Sequence, residues 1–176
     1  NKIAAGEVVE RPASIVKELV ENAIDADANK IAIQVWDGGR QRIRITDNGC
    51  GMSRDDALLC LERHATSKIR SADDLWDLRT LGFRGEALPS IAAISKLTID
   101  TRNHDATLGT RVEIEGGVVR QVSEVGRNTG TSIDVDRLFY NTPARRKFLK
   151  GADTEWRHIS QTVTSIAMAN PDIAFT

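Results

Sequence analysis

Pro12-Ala13-Ser14-Ile15-Val16-Lys17-Glu18-Leu19-Val20-Glu21-Asn22-Ala23-Ile24-Asp25-Ala26-Asp27-Ala28 runs, after two polar residues, into Ile31-Ala32-Ile33-Gln34-Val35. The apolar period changes between the two. Ile15, Val16, Leu19, Val20, Ala23 and Ile24 recur at helical spacing, whereas Ile31, Ile33 and Val35 alternate as in a strand with one buried face. Pro12 suits a first helical turn, where its missing N–H costs nothing. Ile43 and Ile45 alternate again after Asp37-Gly38-Gly39, which predicts an antiparallel hairpin.

Outward from this core the same reading gives a helix over Arg54–Glu62 and another starting near Gly85 and running through Leu88, Ile91 and Ala92. Strand-like pieces follow at Leu97/Ile99, Val112/Ile114, Val118–Val122 and Ile133/Val135, punctuated by glycines at 109, 116, 117, 126 and 130. A last helix is expected over Thr154–Ala169, ended by Asn170-Pro171. Hairpins with packed helices predict an α+β two-layer sandwich rather than a doubly wound parallel sheet.

Composition removes several classes. The 176 residues are 40% hydrophobic and 28% charged, which suits one domain with a sizeable core. Lys+Arg total 24 against 25 Asp+Glu, so a globally basic nucleic-acid binder is excluded while a local basic patch is not. Cys50 and Cys60 lack companions at metal-ligand spacing, and His64, His104 and His158 are scattered. That argues against zinc and against a disulfide framework, with a reducing compartment as the default. No apolar run reaches the roughly 18 residues of a membrane span, and the first residues lack a signal-peptide core. The absent initiator Met suggests a fragment.

Four segments carry candidate chemistry. Glu18, Asn22 and Asp25 fall within about 60° of one another around the first helix, away from its apolar stripe. They form either a solvated face or one side of a site, with Glu as general base and Asn as a neutral oxygen ligand for a hard cation. Asp47-Asn48-Gly49-Cys50-Gly51 follows a strand. It is either a plain turn or a place where a carboxylate accepts from an exocyclic amine while glycines admit a flat ligand. Arg63-His64-Ala65-Thr66-Ser67-Lys68 and Leu81-Gly82-Phe83-Arg84-Gly85-Glu86-Ala87-Leu88 read as phosphate-cradling loops or as ordinary connections. Phe139-Tyr140-Asn141-Thr142-Pro143-Ala144-Arg145-Arg146-Lys147-Phe148-Leu149 is either a nucleic-acid phosphate contact or a solvated helix start anchored by Phe148 and Leu149. No P-loop, dinucleotide fingerprint or nucleophile elbow is present.

Together, Glu18…Asn22, Asp47-x-Gly49-x-Gly51, Gly82…Gly85 and Gly130-Thr131 resemble the four motifs of the GHKL ATPase fold. Ile3-Ala4-Ala5-Gly6-Glu7-Val8-Val9, Lys17–Asn22, Arg63–Ile69, Gly82–Leu88 and Asn141–Phe148 narrow the resemblance to the N-terminal ATPase region of MutL-type DNA mismatch repair proteins. The resemblance implies a mostly antiparallel mixed sheet with helices on one face, binding ATP and Mg²⁺. It makes Glu18 the residue that activates water and Asn22 the Mg²⁺ ligand. Asp47 would receive the adenine amine, supported by Thr131. Asp25, Gly49, Gly51 and Met52 would belong to the same nucleotide site. Thr66, Ser67 and Lys68 would lie in a lid, and Gly82, Phe83, Arg84, Gly85, Glu86, Ala87 and Leu88 would wrap the phosphates.

The resemblance also implies ATP-driven dimerisation, as a homodimer or related heterodimer, and a MutS-type mismatch recognition partner. DNA would be met by the full-length parent. The location would be cytoplasmic in a bacterium or nuclear in a eukaryote, neither secreted nor membrane-bound. By the same resemblance residues 1–176 form one ATPase subdomain. The family's N-terminal arm would be truncated and its second, transducer subdomain and C-terminal dimerisation region absent, so turnover by the isolated chain should be weak. Asp27 stands where the family often has Gly. The competing expectation is a non-catalytic DNA-binding or protein-interaction module with a vestigial pocket.

Overall fold

A computed structural model describes residues 9–62 and 86–176. The elements are α1 (Pro12–Asp25), β1 (Lys30–Trp36), a 3₁₀ turn (Asp37–Gly39), β2 (Arg42–Asp47), α2 (Arg54–Leu59), α3 (Ala87–Ala93), β3 (Lys96–Arg102), β4 (Gly109–Glu115), β5 (Val118–Val125), β6 (Gly130–Asp136), α4 (Pro143–Phe148), α5 (Ala152–Ala169) and β7 (Ala174–Phe175). The strands form one mixed sheet in the order β5-β4-β3-β6-β2-β1-β7. Every pair is antiparallel except β1 with β7. The α+β two-layer expectation holds.

The register sorts the sheet into rows. On one face, Val35, Ile43, Val135, Leu97 and Ile114 form one apolar row, and Ile33, Ile45, Ile133, Ile99 and Val112 form the next. Most of these are buried with Ile15, Val16, Leu19 and Val20 of α1 and Ile91 of α3, giving a single core. The third row of the same face reads Ile31, Asp47, Thr131, Thr101. There the core face turns polar.

The opposite face is a ladder of alternating charge. Arg42 and Arg44 both donate through Nε to Asp134 Oδ1 at 2.8 Å, from the strand beside it. Arg111 forks onto both oxygens of Asp100 at 2.7 and 2.6 Å, and Lys96 reaches Glu115 at 2.9 Å. Cross-strand opposite charges of this kind hold register and keep the face in water.

Helix ends explain where the chain turns. After Ala26, Asp27 takes φ +58°, with Asp27 N donating to Ile24 O and Ala28 N to Ala23 O. This is a Schellman termination, and it stops α1 three residues before the Ala28 boundary expected from periodicity. Ser53 caps α2 by accepting from Asp56 N at 3.1 Å. That helix ends at Leu59, short of the expected Glu62. The helix expected from near Gly85 is described from Ala87, and β5 continues three residues past Val122 to Val125.

α5 begins at Ala152, two residues before the expected Thr154, because Glu155 is buried and its Oε1 accepts from Lys150 N at 3.0 Å. The two-residue β7 was not foreseen. One expected anchor is wrong: Phe148 is 82% exposed, and Leu149 alone packs against the core, since the chain leaves α4 extended at Leu149.

Candidate functional site

Asp47 ends β2 at the polar end of the core face, opposite Thr131 of β6. Its Oδ1 accepts from Gly49 N at 2.8 Å and from Thr131 N at 3.3 Å. Both bonds among the described residues go to that one oxygen, so Oδ2 is left as an unused acceptor. Burial pushes the Asp47 carboxyl up, opposed by the Gly49 and Thr131 N–H groups and by the charge of Arg127. A carboxylate with no cation in contact among the described residues, held by two N–H groups on one oxygen, is poised to accept from a ligand through the other.

The loop after Asp47 is fastened to the end of α1. Asn48 Oδ1 accepts from Asn29 N and Lys30 N at 3.1 and 2.9 Å, and Cys50 N donates to Ala26 O at 2.9 Å. Asn22 lies one turn before Ala26, and Glu18 a turn earlier, about 6 and 12 Å back along the axis. Both are half-buried, as is Asp25. The Asn22 side-chain amide makes no hydrogen bond among the described residues. The three α1 residues singled out by spacing are thus carried on the helix whose end is locked to the Asp47 loop.

The glycines are required by the packing of the protein itself. A Cβ on Gly49 would stand 2.5 Å from Ala26 O, one on Gly51 would collide with Arg102 O, and one on Gly130 with Asp47 O. Gly51 and Gly130 also hold φ of +67° and +122°. Backbone packing around the site already requires glycine at these positions.

Beyond Gly51, Met52 N donates to Thr101 Oγ1 at 2.9 Å, and Thr101 Oγ1 lies 2.9 Å from Thr131 Oγ1. Thr101 was missed by the sequence reading. The signal was a Thr at the end of an alternating strand, in register with Gly130-Thr131, and register is not written in one strand alone.

Glu86 is the N-cap residue of α3, and Ala87 and Leu88 form its first turn over β3 and β4. Gly82, Phe83, Arg84 and Gly85 lie outside the described residues, as do Thr66, Ser67 and Lys68, the rest of Arg63–Ile69, and residues 3–8. Of the basic run, Arg145 is half-buried and Arg146 and Lys147 are exposed on α4.

A mixed sheet with helices on one face, with Asp47 at the joint of α1, β2 and β6 and Glu18 and Asn22 on α1, points to an ATPase domain of the GHKL type. The family model described as "Histidine kinase-, DNA gyrase B-, and HSP90-like ATPase" matches residues 10–134, and the chain belongs to that family. Its relatives there are of the MutL type. It is 57% identical over 176 residues to the DNA mismatch repair protein MutL of Citrifermentans bemidjiense, and 61% identical over 175 residues to that of Acidobacterium capsulatum. It covers 100% and 99% of itself in these matches but only 27% and 26% of those proteins.

Solved structures agree. The Aquifex aeolicus MutL ATPase domain complexed with ADP matches with a TM-score of 0.78 at 34% identity, over 96% of this chain and 60% of that one. The N-terminal domain of a DNA repair protein matches with a TM-score of 0.79 at 34% identity, over 99% of this chain and 50% of that one. Among the described residues no helix is long and apolar enough to cross a membrane.

Proposed function

We propose that residues 1–176 form one ATPase unit that binds ATP with its adenine against Asp47 and hydrolyses it, as the switch of a mismatch repair protein. The observation that carries this is the half-used Asp47 carboxylate, tied through the Asp47–Gly51 loop to the helix bearing Asn22 and Glu18. An adenine amine donates to Asp47 Oδ2, whereas the guanine carbonyl at the same place would leave two acceptors facing each other, at a cost of about 1–3 kcal/mol. Asp25, Gly49, Gly51, Met52 and Thr131 complete the pocket around the base. The Aquifex aeolicus domain, similar in fold and complexed with ADP, supports nucleotide binding by this fold.

Glu18 acts as general base on the attacking water, within a domain that otherwise works by positioning. The Asn22 amide, half-buried and without a hydrogen bond among the described residues, suits one neutral oxygen ligand to Mg²⁺, most of whose shell would come from phosphates and water. When bound, that ion supplies neutralisation of phosphate charge. Thr66, Ser67, Lys68 and Gly82 to Leu88 are assigned to the lid and phosphate wrap by resemblance. ATP-driven dimerisation, DNA contact and a MutS-type partner are proposed for the full-length protein on the same footing.

The test is calorimetry of the full-length protein with Mg²⁺ and ATP or GTP, alongside turnover of Glu18→Ala. Selective ATP binding, with turnover lost but binding kept in the variant, is the expected outcome. Undiminished turnover would remove Glu18 from the reaction. Absence of nucleotide binding would favour the vestigial-pocket alternative.

A further inference from the structure

We propose that Asn48, in the loop leaving Asp47, is a latent deamidation site. The folded loop holds its side-chain amide off the Gly49 nitrogen, and opening of the loop converts it irreversibly to aspartate and isoaspartate, with loss of nucleotide binding. The guarding of Asn48 stands apart from the adenine-pocket reading; only the loss of binding rests on it. Asn48 is the only asparagine of the 176 residues that is followed by glycine, so no Cβ at position 49 shields the backbone N–H on its C-terminal side. It is also exposed, within reach of water and base.

In an opened loop the Gly49 nitrogen gives up its proton to base and attacks Cγ of Asn48. The N–Cγ bond forms, the Cγ–Nδ2 bond breaks, and Nδ2 leaves as ammonia. Water then opens the succinimide at either carbonyl, giving aspartate or isoaspartate with nothing oxidised or reduced. In the folded loop the two reacting groups are tied to different partners. Asn48 Oδ1 accepts from Asn29 N and Lys30 N at 3.1 and 2.9 Å, and its Nδ2 donates to Asn29 Oδ1 at 2.7 Å. Gly49 N donates to Asp47 Oδ1 at 2.8 Å, and Cys50 N to Ala26 O at 2.9 Å. These bonds must yield before amide and nitrogen can meet, so the reaction runs through local unfolding of the loop. Isoaspartate then adds a carbon to the main chain between positions 48 and 49. Gly49 N and Cys50 N can no longer both keep their partners, and the Asp47 loop comes away from α1. Plain aspartate leaves the main chain unchanged, and a flipped Asn29 amide can donate to it.

The experiment holds the full-length protein in mildly alkaline buffer, folded or unfolded in urea, and follows position 48 by peptide mass spectrometry. Conversion should be at least about tenfold slower in the folded protein. Asn29→Ala, at an exposed position, removes the acceptor of Asn48 Nδ2 and should speed folded-state conversion about fivefold. ADP with Mg²⁺, at about ten times its Kd, should slow it about tenfold further by favouring the closed loop. Aged protein should lose ADP binding in proportion to its isoaspartate content, whereas Asn48→Asp should bind within about threefold of wild type. Equal rates in folded and unfolded protein, or an Asn29→Ala rate no faster than wild type, overturns the guard. Isoaspartate-bearing protein that binds ADP as fresh protein does overturns the consequence. Fresh protein that binds no ADP, with folded-state protection intact, removes the adenine pocket and leaves the guard standing.

Discussion

Asp47 and Asp134 stand on neighbouring strands of one sheet, facing opposite sides, and their surroundings are opposite in kind. Asp134 is buried on the ladder face, with Arg42 and Arg44 both donating to its Oδ1. Among the described residues Asp47 has two backbone N–H groups on one oxygen and no cation in contact, and burial pushes its carboxyl up. Both carboxylates take these bonds through one oxygen; what separates them is charge, because that of Asp134 is matched by two guanidinium groups and serves the fold. A desolvated carboxylate met only by N–H groups among the described residues keeps its charge for a ligand, and costs stability in the meantime.

The strongest way to break this contrast is to neutralise each carboxylate in turn. Asp47→Asn keeps an acceptor for Gly49 and Thr131 and turns an N–H₂ toward the base, so ADP affinity should fall by about 10- to 100-fold. Its thermal midpoint should stay level or rise, because a poorly solvated charge has been removed. Titration calorimetry and thermal unfolding read the two effects. Unaltered ADP affinity would sink the adenine assignment.

Asp134→Asn should behave the other way round. Removing the charge shared by two arginines should destabilise the fold by about 1–2 kcal/mol, less than for a fully buried pair because the Arg42 and Arg44 side chains are 35% and 36% exposed. ADP affinity should remain within about twofold. A variant that unfolds normally but binds poorly would mean that the ladder face and the site are not separable.

Acidity sharpens the contrast further. The folded-state pKa of Asp47 lies above its ordinary 3.8, so as pH falls the carboxylate is protonated earlier than an exposed aspartate and loses its acceptor role. ADP affinity should therefore decline on the acid side starting above that value. For stability the sign is reversed. A raised carboxyl pKa means that ionising Asp47 costs the folded state, a cost present above the folded pKa and relieved as pH falls through it. Protonation of the adenine ring affects all variants alike, so a pH profile that matches that of Asp47→Asn would show that Asp47 does not titrate at the site.

Local periodicity made the skeleton legible: Ile31, Ile33 and Val35 alternate, α1 repeats at helical spacing, and both features stand in the fold as expected. Glu18 and Asn22 were legible for the same reason, being one turn apart on one helix. Asp47 was visible only as turn chemistry until register put Thr131 opposite it. Thr101, 30 positions from Thr131, depends on two strands meeting, and nothing within either strand announces that. The misplaced start of α5 has a similar origin, since Glu155 is buried and accepts from Lys150 N, on a helix that packs against α1 and the 3₁₀ turn. Exposure of Phe148 was equally hidden, because apolar character does not say which of two adjacent residues, Phe148 or Leu149, faces the core.

A third aspartate gives the smallest effect and isolates the backbone from both roles. Asp27 is exposed and sits in left-handed conformation at the end of α1, where Gly would carry no Cβ penalty. Asp27→Gly should stabilise the protein by up to about 1 kcal/mol, and Asp27→Ala, which keeps the Cβ and loses the side-chain polarity, should not. Because the Schellman bonds from Asp27 N and Ala28 N are made by backbone, both variants should leave ADP affinity unchanged. Thermal unfolding separates the outcomes: a lower midpoint for Asp27→Gly would show that the carboxylate, and not the helix stop alone, holds the junction between α1 and the Asp47 loop.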